Sequence, residues 1–131
     1  MMKRVLICDD EPHVLEGLRF LLRAPDRTIE TAVNGAIGLA RIREELPDLL
    51  ITDVMMPEMS GLELVAALRE DERTRRLPVV ILTAKGEAQD ATVAQEIWGA
   101  SVIAKPFDPK TVRDLVAKML KDSACLQASS K

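Results

Sequence analysis

Four short apolar runs of the sequence lead into side chains that could take part in phosphate or metal chemistry. These side chains comprise three carboxylates, one hydroxyl and one ammonium group: Asp9, Asp10, Asp53, Thr83 and Lys105. The run before Asp53 is Leu49–Ile51, and a loop rich in Met, Pro and Gly follows Asp53 as far as Gly61. Buried strands of open α/β sheets typically deliver reactive groups at their carboxyl ends. We therefore interpret Asp53 as a phosphoryl acceptor.

The three aspartates would converge if the strands that precede them are neighbours in a sheet. Two like unit charges ~4 Å apart repel by about 4 kcal/mol at an effective dielectric constant near 20, so a proton or a cation must offset the repulsion. Oxygen ligands, without a cluster of His or Cys, favour Mg²⁺ over zinc. Thr83 and Lys105 suit the oxygens of a phosphoryl group, because phosphoryl transfer depends on positioning and charge stabilisation.

The apolar runs that carry these residues predict the strands of a parallel sheet. Four of them are too short for helices and lack the alternation of a strand with one wet face, which is typical of buried central strands. A fifth segment alternates and predicts an edge strand. In chain order the predicted strands are Val5–Cys8, Thr28–Val33, Leu49–Ile51, Val79–Leu82 and Val102–Ala104.

Segments with helical spacing separate the predicted strands. The first has Asp10 as a candidate N-cap, and the fourth, ending at Trp98, has a thin apolar face. The alternation of strands and helices with short connections predicts an α/β fold, a doubly wound five-stranded parallel sheet in the order 2-1-3-4-5 with five helices. Residues 122–131 lose the helical pattern and are expected to form a flexible C-terminal tail.

Length and composition exclude several classes of protein. The chain has 131 residues, which fits one domain, and a net charge of −3 with basic and acidic residues interspersed, which argues against nucleic acid or membrane as a partner. No apolar run approaches the ~20 residues that span a bilayer. Two cysteines, Cys8 and Cys125, do not make a disulfide framework. We therefore expect a cytoplasmic protein.

The sequence closely resembles the receiver domain of two-component response regulators, which has a flavodoxin-like or CheY-like fold. The resemblance covers roughly residues 3–121, and the loop after Asp53 is its most specific part. The matching stretches are Cys8–Pro12, Thr52–Gly61, Pro78–Ala84, Gly99–Ala100 and Ala104–Phe107.

The resemblance implies a function and a role for each candidate residue. Asp53 would accept a phosphoryl group from a histidine kinase, a phosphotransfer protein or a small phosphodonor. Asp10, Asp53 and the backbone carbonyl of Met55 would ligate Mg²⁺, with Asp9 acting mainly through water. Thr83 and Lys105 would hold the phosphoryl oxygens, and the peptide bond after Lys105 would be cis.

The resemblance also implies how such a chain would act. It would be no enzyme beyond self-catalysed phosphorylation and dephosphorylation, and its downstream target would be a protein that the sequence does not name. It would be a monomer or a weak dimer through the fourth helix, fifth strand and fifth helix. The side chains of Met55 and Lys85 are expected to modulate the lifetime of the phosphoryl group.

Two features of the sequence depart from the family, and two alternative functions stay open. The family usually has Tyr or Phe where this chain has Val102, and the spacing from Gly99 to Lys105 is one residue shorter. A receiver fold that docks without phosphorylation is one alternative. The other is an aspartyl-phosphate phosphatase, which usually carries an acid/base aspartate at the position of Met55.

Overall fold

Five strands form a single parallel sheet in the computed structural model, which describes residues 2–84, 86 and 88–129. The strands are β1 (Lys3–Cys8), β2 (Arg27–Ala32), β3 (Leu49–Asp53), β4 (Val79–Thr83) and β5 (Ser101–Ala104). Their order in the sheet is β2-β1-β3-β4-β5, and each neighbouring pair is parallel. The predicted fold class and strand order are confirmed, and the alternating segment forms the edge strand β2. The prediction that the last apolar run is a buried central strand is wrong, because β5 is the other edge strand and is only partly buried.

Five helices connect or follow the strands. They are α1 (Pro12–Leu22), α2 (Gly35–Glu44), α3 (Gly61–Glu70), α4 (Ala88–Trp98) and α5 (Pro109–Ser129). Among the described residues, none of these helices combines the length and the apolar character that a membrane crossing requires.

One helix end differs from the sequence interpretation, and another helix is longer than its apolar pattern indicates. The N-cap of α1 is Glu11, so the prediction that Asp10 caps this helix is wrong. The helix α5 continues to Ser129 instead of losing regular structure near Asp122, because residues 122–129 contain no Pro or Gly that would end it. That this last stretch is flexible stays a prediction.

Each central strand contributes side chains to two separate apolar cores. In β1, Leu6 and Cys8 pack with the core under α2, α3 and α4, whereas Val5 and Ile7 pack with the core under α1 and α5. The side chains alternate because successive residues of a strand point to opposite faces of the sheet. All residues of β3 and β4 are buried, which explains why these strands read as continuous apolar runs.

The described side chains of α4 form a thin apolar face. Ala94 is fully buried and Trp98 packs partly buried against the first core, whereas Ile97 is 67% exposed. The thin apolar face that the sequence predicts is therefore present. An alanine buries less apolar area than a leucine, so Ala94 adds little to the packing of this helix.

The loop that follows Asp53 ends in a firmly capped helix. Ser60 and Glu63 form a reciprocal capping box at the start of α3. Gly61 donates its backbone N–H to the carbonyl of Val54 at 2.8 Å, and a Cβ at Gly61 would overlap the backbone carbonyl of Asp53. The absence of a side chain at Gly61 thus allows α3 to begin directly against the residue that carries the candidate nucleophile.

We expect Gly61→Ala to lower the free energy of unfolding by roughly 1–3 kcal/mol, the usual cost of forcing atoms into a packed site. The matched control is Gly17→Ala in α1, because a methyl group at Gly17 would meet no side chain and no remote backbone atom within 4 Å. That control should raise stability by about 0.5–1 kcal/mol. Urea unfolding of both variants checks the pair, and equal effects would contradict the close approach at Gly61.

Candidate functional site

The carboxyl ends of four strands meet at one edge of the sheet. Cys8 pairs with Thr52, so the residues that come next, Asp9 and Asp53, lie side by side at the ends of β1 and β3. Thr83 is the last residue of β4, and Lys105 directly follows β5. Because all strands are parallel, residues more than ninety positions apart in the chain come together at this edge.

Three carboxylates and one ammonium group form the centre of the site. One carboxylate oxygen from each of Asp9, Asp10 and Asp53 lies within 4.8 Å of the others. The Lys105 Nζ lies 3.3 Å from Asp53 Oδ1 and 3.5 Å from Asp9 Oδ2. Asp9 and Asp53 are buried, whereas Asp10 is exposed. The predicted convergence of these residues is present.

Backbone N–H groups fix the orientation of both buried carboxylates. Glu11 N–H donates to Asp9 Oδ1 at 2.9 Å, and Val54 N–H donates to Asp53 Oδ1 at 2.9 Å. These donors come from the residues that closely follow each strand, so the turn of the chain itself places the hydrogen bonds. The carboxylates are therefore held in position without long side chains that would have to be ordered first.

The environment raises the pKa of both buried carboxyl groups above the ordinary range of aspartate. For Asp53, burial is the largest cause and the negative charge of Asp9 adds to it, against the lowering effects of Lys105 and the Val54 N–H. For Asp9, burial again raises the pKa, while the Glu11 N–H and Lys105 lower it. The folded state thus disfavours the ionised form of each group.

The pKa of Lys105 is raised as well, but for an ammonium group a raised pKa favours the charged form. Burial by itself would lower the pKa of Lys105, but the charges of Asp53 and Asp9 and their hydrogen bonds raise it, and the net pKa lies above the ordinary value. Lys105 therefore stays charged at neutral pH. Its side chain is 22% exposed, so the ammonium bridges the buried carboxylates and the solvent.

The charges of the site fit a divalent cation. Three ionised carboxylates and one ammonium group leave two net negative charges among oxygen donors that lie within 4.8 Å. Oxygen donors without sulfur or imidazole suit hard ions such as Mg²⁺ or Ca²⁺. The donor set therefore fits such an ion. Asp10 is exposed and is not the N-cap of α1, so its carboxylate is not used to cap that helix.

The backbone around Lys105 joins β4 to the end of β5. Lys105 N–H donates to the carbonyl of Thr83 at 2.7 Å, and the Lys105–Pro106 peptide bond is cis, as the resemblance implies. Thr83 itself is buried at the end of β4. Thr83 and Lys105 thus lie at adjacent strand ends, the places that the sequence interpretation assigns to them.

Val102, which departs from the family pattern, and Met55, which is expected to modulate the phosphoryl lifetime, lie in different surroundings. Val102 is half-buried in β5 and packs against the core under α2, α3 and α4. The Met55 side chain is 62% exposed at the start of the loop after Asp53. Lys85, named above as a modulator, lies outside the described residues.

The sequence interpretation did not predict the two residues that contact the backbone carbonyl of Asp53. Thr52 is fully buried and its hydroxyl donates to the Asp53 carbonyl at 3.0 Å. Gly61 packs against the same carbonyl. A glycine at the first position of a helix, shortly after the candidate nucleophile, is the signal that could have indicated this close approach.

Comparisons with known proteins agree with the resemblance. A family model described as the response regulator receiver domain matches residues 5–117. The response regulator Rre1 of Synechocystis sp. is 37% identical over 127 residues, which cover 96% of this chain and 54% of that protein. The phosphate regulon transcriptional regulatory protein PhoB of Rhizobium meliloti is 34% identical over 92% of this chain and 53% of its own length.

A solved structure supports the same fold. A response regulator receiver domain protein from Clostridium thermocellum superposes with a TM-score of 0.86 at 25% identity, over 95% of this chain and 99% of that chain. This chain spans about half the length of the two curated relatives named above. The similarity therefore concerns one part of those proteins.

We expect Asp53→Asn to raise the free energy of unfolding at neutral pH in metal-free buffer, because the pKa of Asp53 is raised by burial and by Asp9. A raised pKa means that ionised Asp53 costs stability, fully at pH values above the folded-state pKa and progressively less as the pH falls towards the ordinary value of 3.8. The advantage of the variant should therefore shrink as the pH is lowered from 7.

Urea unfolding in EDTA at several pH values measures this difference. The control is Asp114→Asn, which removes an exposed carboxylate from α5, away from the strand ends. A variant at Asp53 that is less stable than the parent at neutral pH would show that its ion pair with Lys105 outweighs the burial and the repulsion by Asp9.

Proposed function

The chain belongs to the response regulator receiver domain family of two-component systems, and we propose that it is a phosphoacceptor switch in which Asp53 receives a phosphoryl group from a histidine kinase or a phosphotransfer protein. One observation carries the proposal. The buried Asp53 carboxylate lies 3.3 Å from the Lys105 ammonium, within a cluster of three carboxylates whose oxygens approach within 4.8 Å.

Asp53 acts as the nucleophile of the transfer. Val54 N–H and Lys105 both engage Oδ1, which fixes the plane of the carboxylate. A carboxylate oxygen attacks the phosphorus of a phosphohistidine, the phosphorus–nitrogen bond breaks, and its electron pair returns to the imidazole of the donor. Water later attacks the same phosphorus, which releases inorganic phosphate and restores the carboxylate.

Lys105 and Thr83 stabilise the transferring group. Lys105 already contacts both buried carboxylates, so its ammonium lies where the negative charge of the phosphoryl oxygens develops. The hydroxyl of Thr83, at the end of the neighbouring strand, is the proposed donor to another phosphoryl oxygen. Preorganised donors of this kind cost no reorganisation at the moment of transfer.

Mg²⁺ is the proposed cofactor, held by Asp10, Asp53 and the Met55 carbonyl, with Asp9 acting through water. When bound, the ion supplies two positive charges that offset the net charge of the cluster and the incoming phosphoryl group. The chain prepares this site in advance, because backbone N–H groups hold Asp9 and Asp53 in place.

The proposed activity is limited to reactions of Asp53 itself. A phosphatase would need an acid/base group beside the nucleophile, and the residue two positions on, Met55, carries an exposed thioether with no proton to give. We therefore propose a protein that is no enzyme in the ordinary sense and that acts in the cytoplasm on a downstream protein target.

The output step cannot use an aromatic rotamer at the usual position in β5, because the residue there is Val102. We propose that phosphorylation acts through Thr83 and the fourth helix, whose described part contributes only Ala94 and Trp98 to the core. The surface of α4, β5 and α5 is the proposed contact for a target or a weak dimer. Docking without phosphorylation is the competing hypothesis.

Acetyl phosphate with Mg²⁺ should add one phosphoryl group to the parent chain and none to Asp53→Asn, as measured by intact mass. EDTA should abolish the labelling. We expect Lys105→Met to slow it by about 10- to 100-fold, because a contact to a charged group contributes roughly 1.5–3 kcal/mol.

Two controls accompany this labelling. Lys110→Met removes an exposed lysine of α5 outside the site and should label at the parental rate. Labelling of Asp53→Asn to the same extent as the parent would show that the acceptor lies elsewhere.

Beryllofluoride with Mg²⁺ should change the fluorescence of Trp98, because this tryptophan is the only one in the chain and ends the helix proposed to move. Asp53→Asn should give no response under the same conditions. If the parent binds Mg²⁺ and is labelled yet its Trp98 emission stays constant, the fourth helix is not the responding element. If it neither binds Mg²⁺ nor responds, docking alone is the better description.

A further inference from the structure

A cavity lies at the amino ends of β4 and β5, at the opposite end of the sheet from the aspartates. Its volume is about 320 Å³. Val79 and Ser101, the first residues of the two strands, line it together with residues from α3 and α5. A volume of this size suits a small organic molecule, since a cavity of about 150 Å³ accepts benzene.

Three cationic side chains line this cavity: Arg69 of α3, Arg76 of the loop before β4 and Lys118 of α5. None of its lining residues is acidic, and among the described side chains no carboxylate lies within ion-pair distance of the three cations. The chain as a whole has a net charge of −3. The charged residues that line this cavity are all cations, so its local charge is opposite to that of the chain.

Arg69 is half-buried and held rigidly by backbone carbonyls. Its Nε donates to Trp98 O at 2.9 Å, and its Nη1 donates to Arg75 O at 3.0 Å and to Leu77 O at 2.8 Å. A guanidinium has five N–H groups. The hydrogen bonds of Arg69 use Nε and Nη1, and the two N–H groups on Nη2 have no hydrogen-bond partner among the described residues. Burial lowers the pKa of Arg69, which reflects a positive charge partly removed from water without a counter-charge.

Four apolar side chains also line the cavity. They are Leu77, Val79, Leu115 and Met119, and all four are buried or half-buried. A pocket that combines apolar walls with a few fixed polar groups is typical of a binding site for a small organic ligand. Inorganic phosphate would satisfy the cations but would leave these walls without a partner.

We propose that this cavity binds a small organic anion, in which a phosphate or carboxylate group is joined to an apolar ring or chain. The anionic group contacts Arg69, Arg76 and Lys118, and the apolar portion lies against Leu115 and Met119. Because Arg69 also holds the carbonyl that ends α4, bound ligand reaches the fourth helix from the end opposite to Thr83.

Another cleft of the chain is also lined by basic residues and serves as an internal control for binding. The cleft between α1 and α5 has a volume of about 410 Å³ and is lined by Arg23, Arg27, Lys110 and Arg113, but it also contains the carboxylate of Asp114. Arg27 there already pairs with Asp26. If an anionic probe binds at this cleft and not at the proposed cavity, the anion is attracted to basic surface in general.

Phenylphosphonate and benzoate are suitable probes, because neither can transfer a phosphoryl group to Asp53. Amide NMR of the full chain in EDTA should show saturable shifts at Gly99 and Ser101, with a Kd on the order of 1–10 mM for molecules of this size. Arg76→Gln combined with Lys118→Gln should weaken binding by about tenfold or more. Arg75→Gln combined with Lys121→Gln is the matched control, since both residues are exposed and lie outside the cavity lining.

Four outcomes decide the proposal. Tighter binding of phenylphosphonate or benzoate than of benzyl alcohol or inorganic phosphate, lost in the cavity variant alone, supports it. Equal binding of benzyl alcohol, equal weakening in both double variants, or shifts confined to the cleft of Lys110 and Arg113 would each overturn it. The experiment uses metal-free protein, so its failure would leave the assignment of Asp53 untouched.

Discussion

The structure depends on one electrostatic constraint, the burial of Asp9 and Asp53 beside each other with a shared contact to Lys105. Burial and mutual repulsion disfavour ionisation of both groups, as the direction of their pKa values indicates. A fold chosen for stability alone would not place them there, because an apolar pair would cost less. The arrangement leaves a net negative charge that a divalent cation can offset.

The supporting elements make this arrangement possible. Parallel strands bring the carboxyl ends together, and the turns after β1 and β3 supply N–H groups to the carboxylates at 2.9 Å. Gly61 lets α3 begin against the carbonyl of Asp53. Backbone N–H groups therefore hold Asp9 and Asp53 in place, whereas Asp10 is exposed to solvent. A binding site needs such fixed groups together with access from solvent.

The two ends of the sheet carry opposite charge, and the helix α4 runs between them. Aspartates gather at the carboxyl end, whereas Arg69, Arg76 and Lys118 line the cavity at the amino end. The helix α4 follows the strand that ends in Thr83 and finishes at Trp98, whose carbonyl is bound by Arg69. The two sites therefore lie near opposite ends of this helix.

The sequence by itself determined the strands and their class of sheet, and it predicted which residues meet at the carboxyl edge. Continuous apolar runs can only be buried on both faces, and this requirement predicts a parallel sheet with Asp9, Asp53, Thr83 and Lys105 at its carboxyl edge. Tertiary structure decided what depends on distances between remote segments. The close packing of Gly61 against the carbonyl of Asp53 and the contact of Lys105 with both Asp9 and Asp53 belong to this second group.

The charge balance and the basic cavity also belong to that second group, for the same physical reason. The pKa of a carboxyl group depends on its burial and on charges within a few ångströms, and neither is encoded by the neighbouring residues in the chain. Arg69 reads in the sequence as part of a solvated, mixed-charge helix end. Only packing shows that it is half-buried, bound to three carbonyls and set at the wall of a cavity.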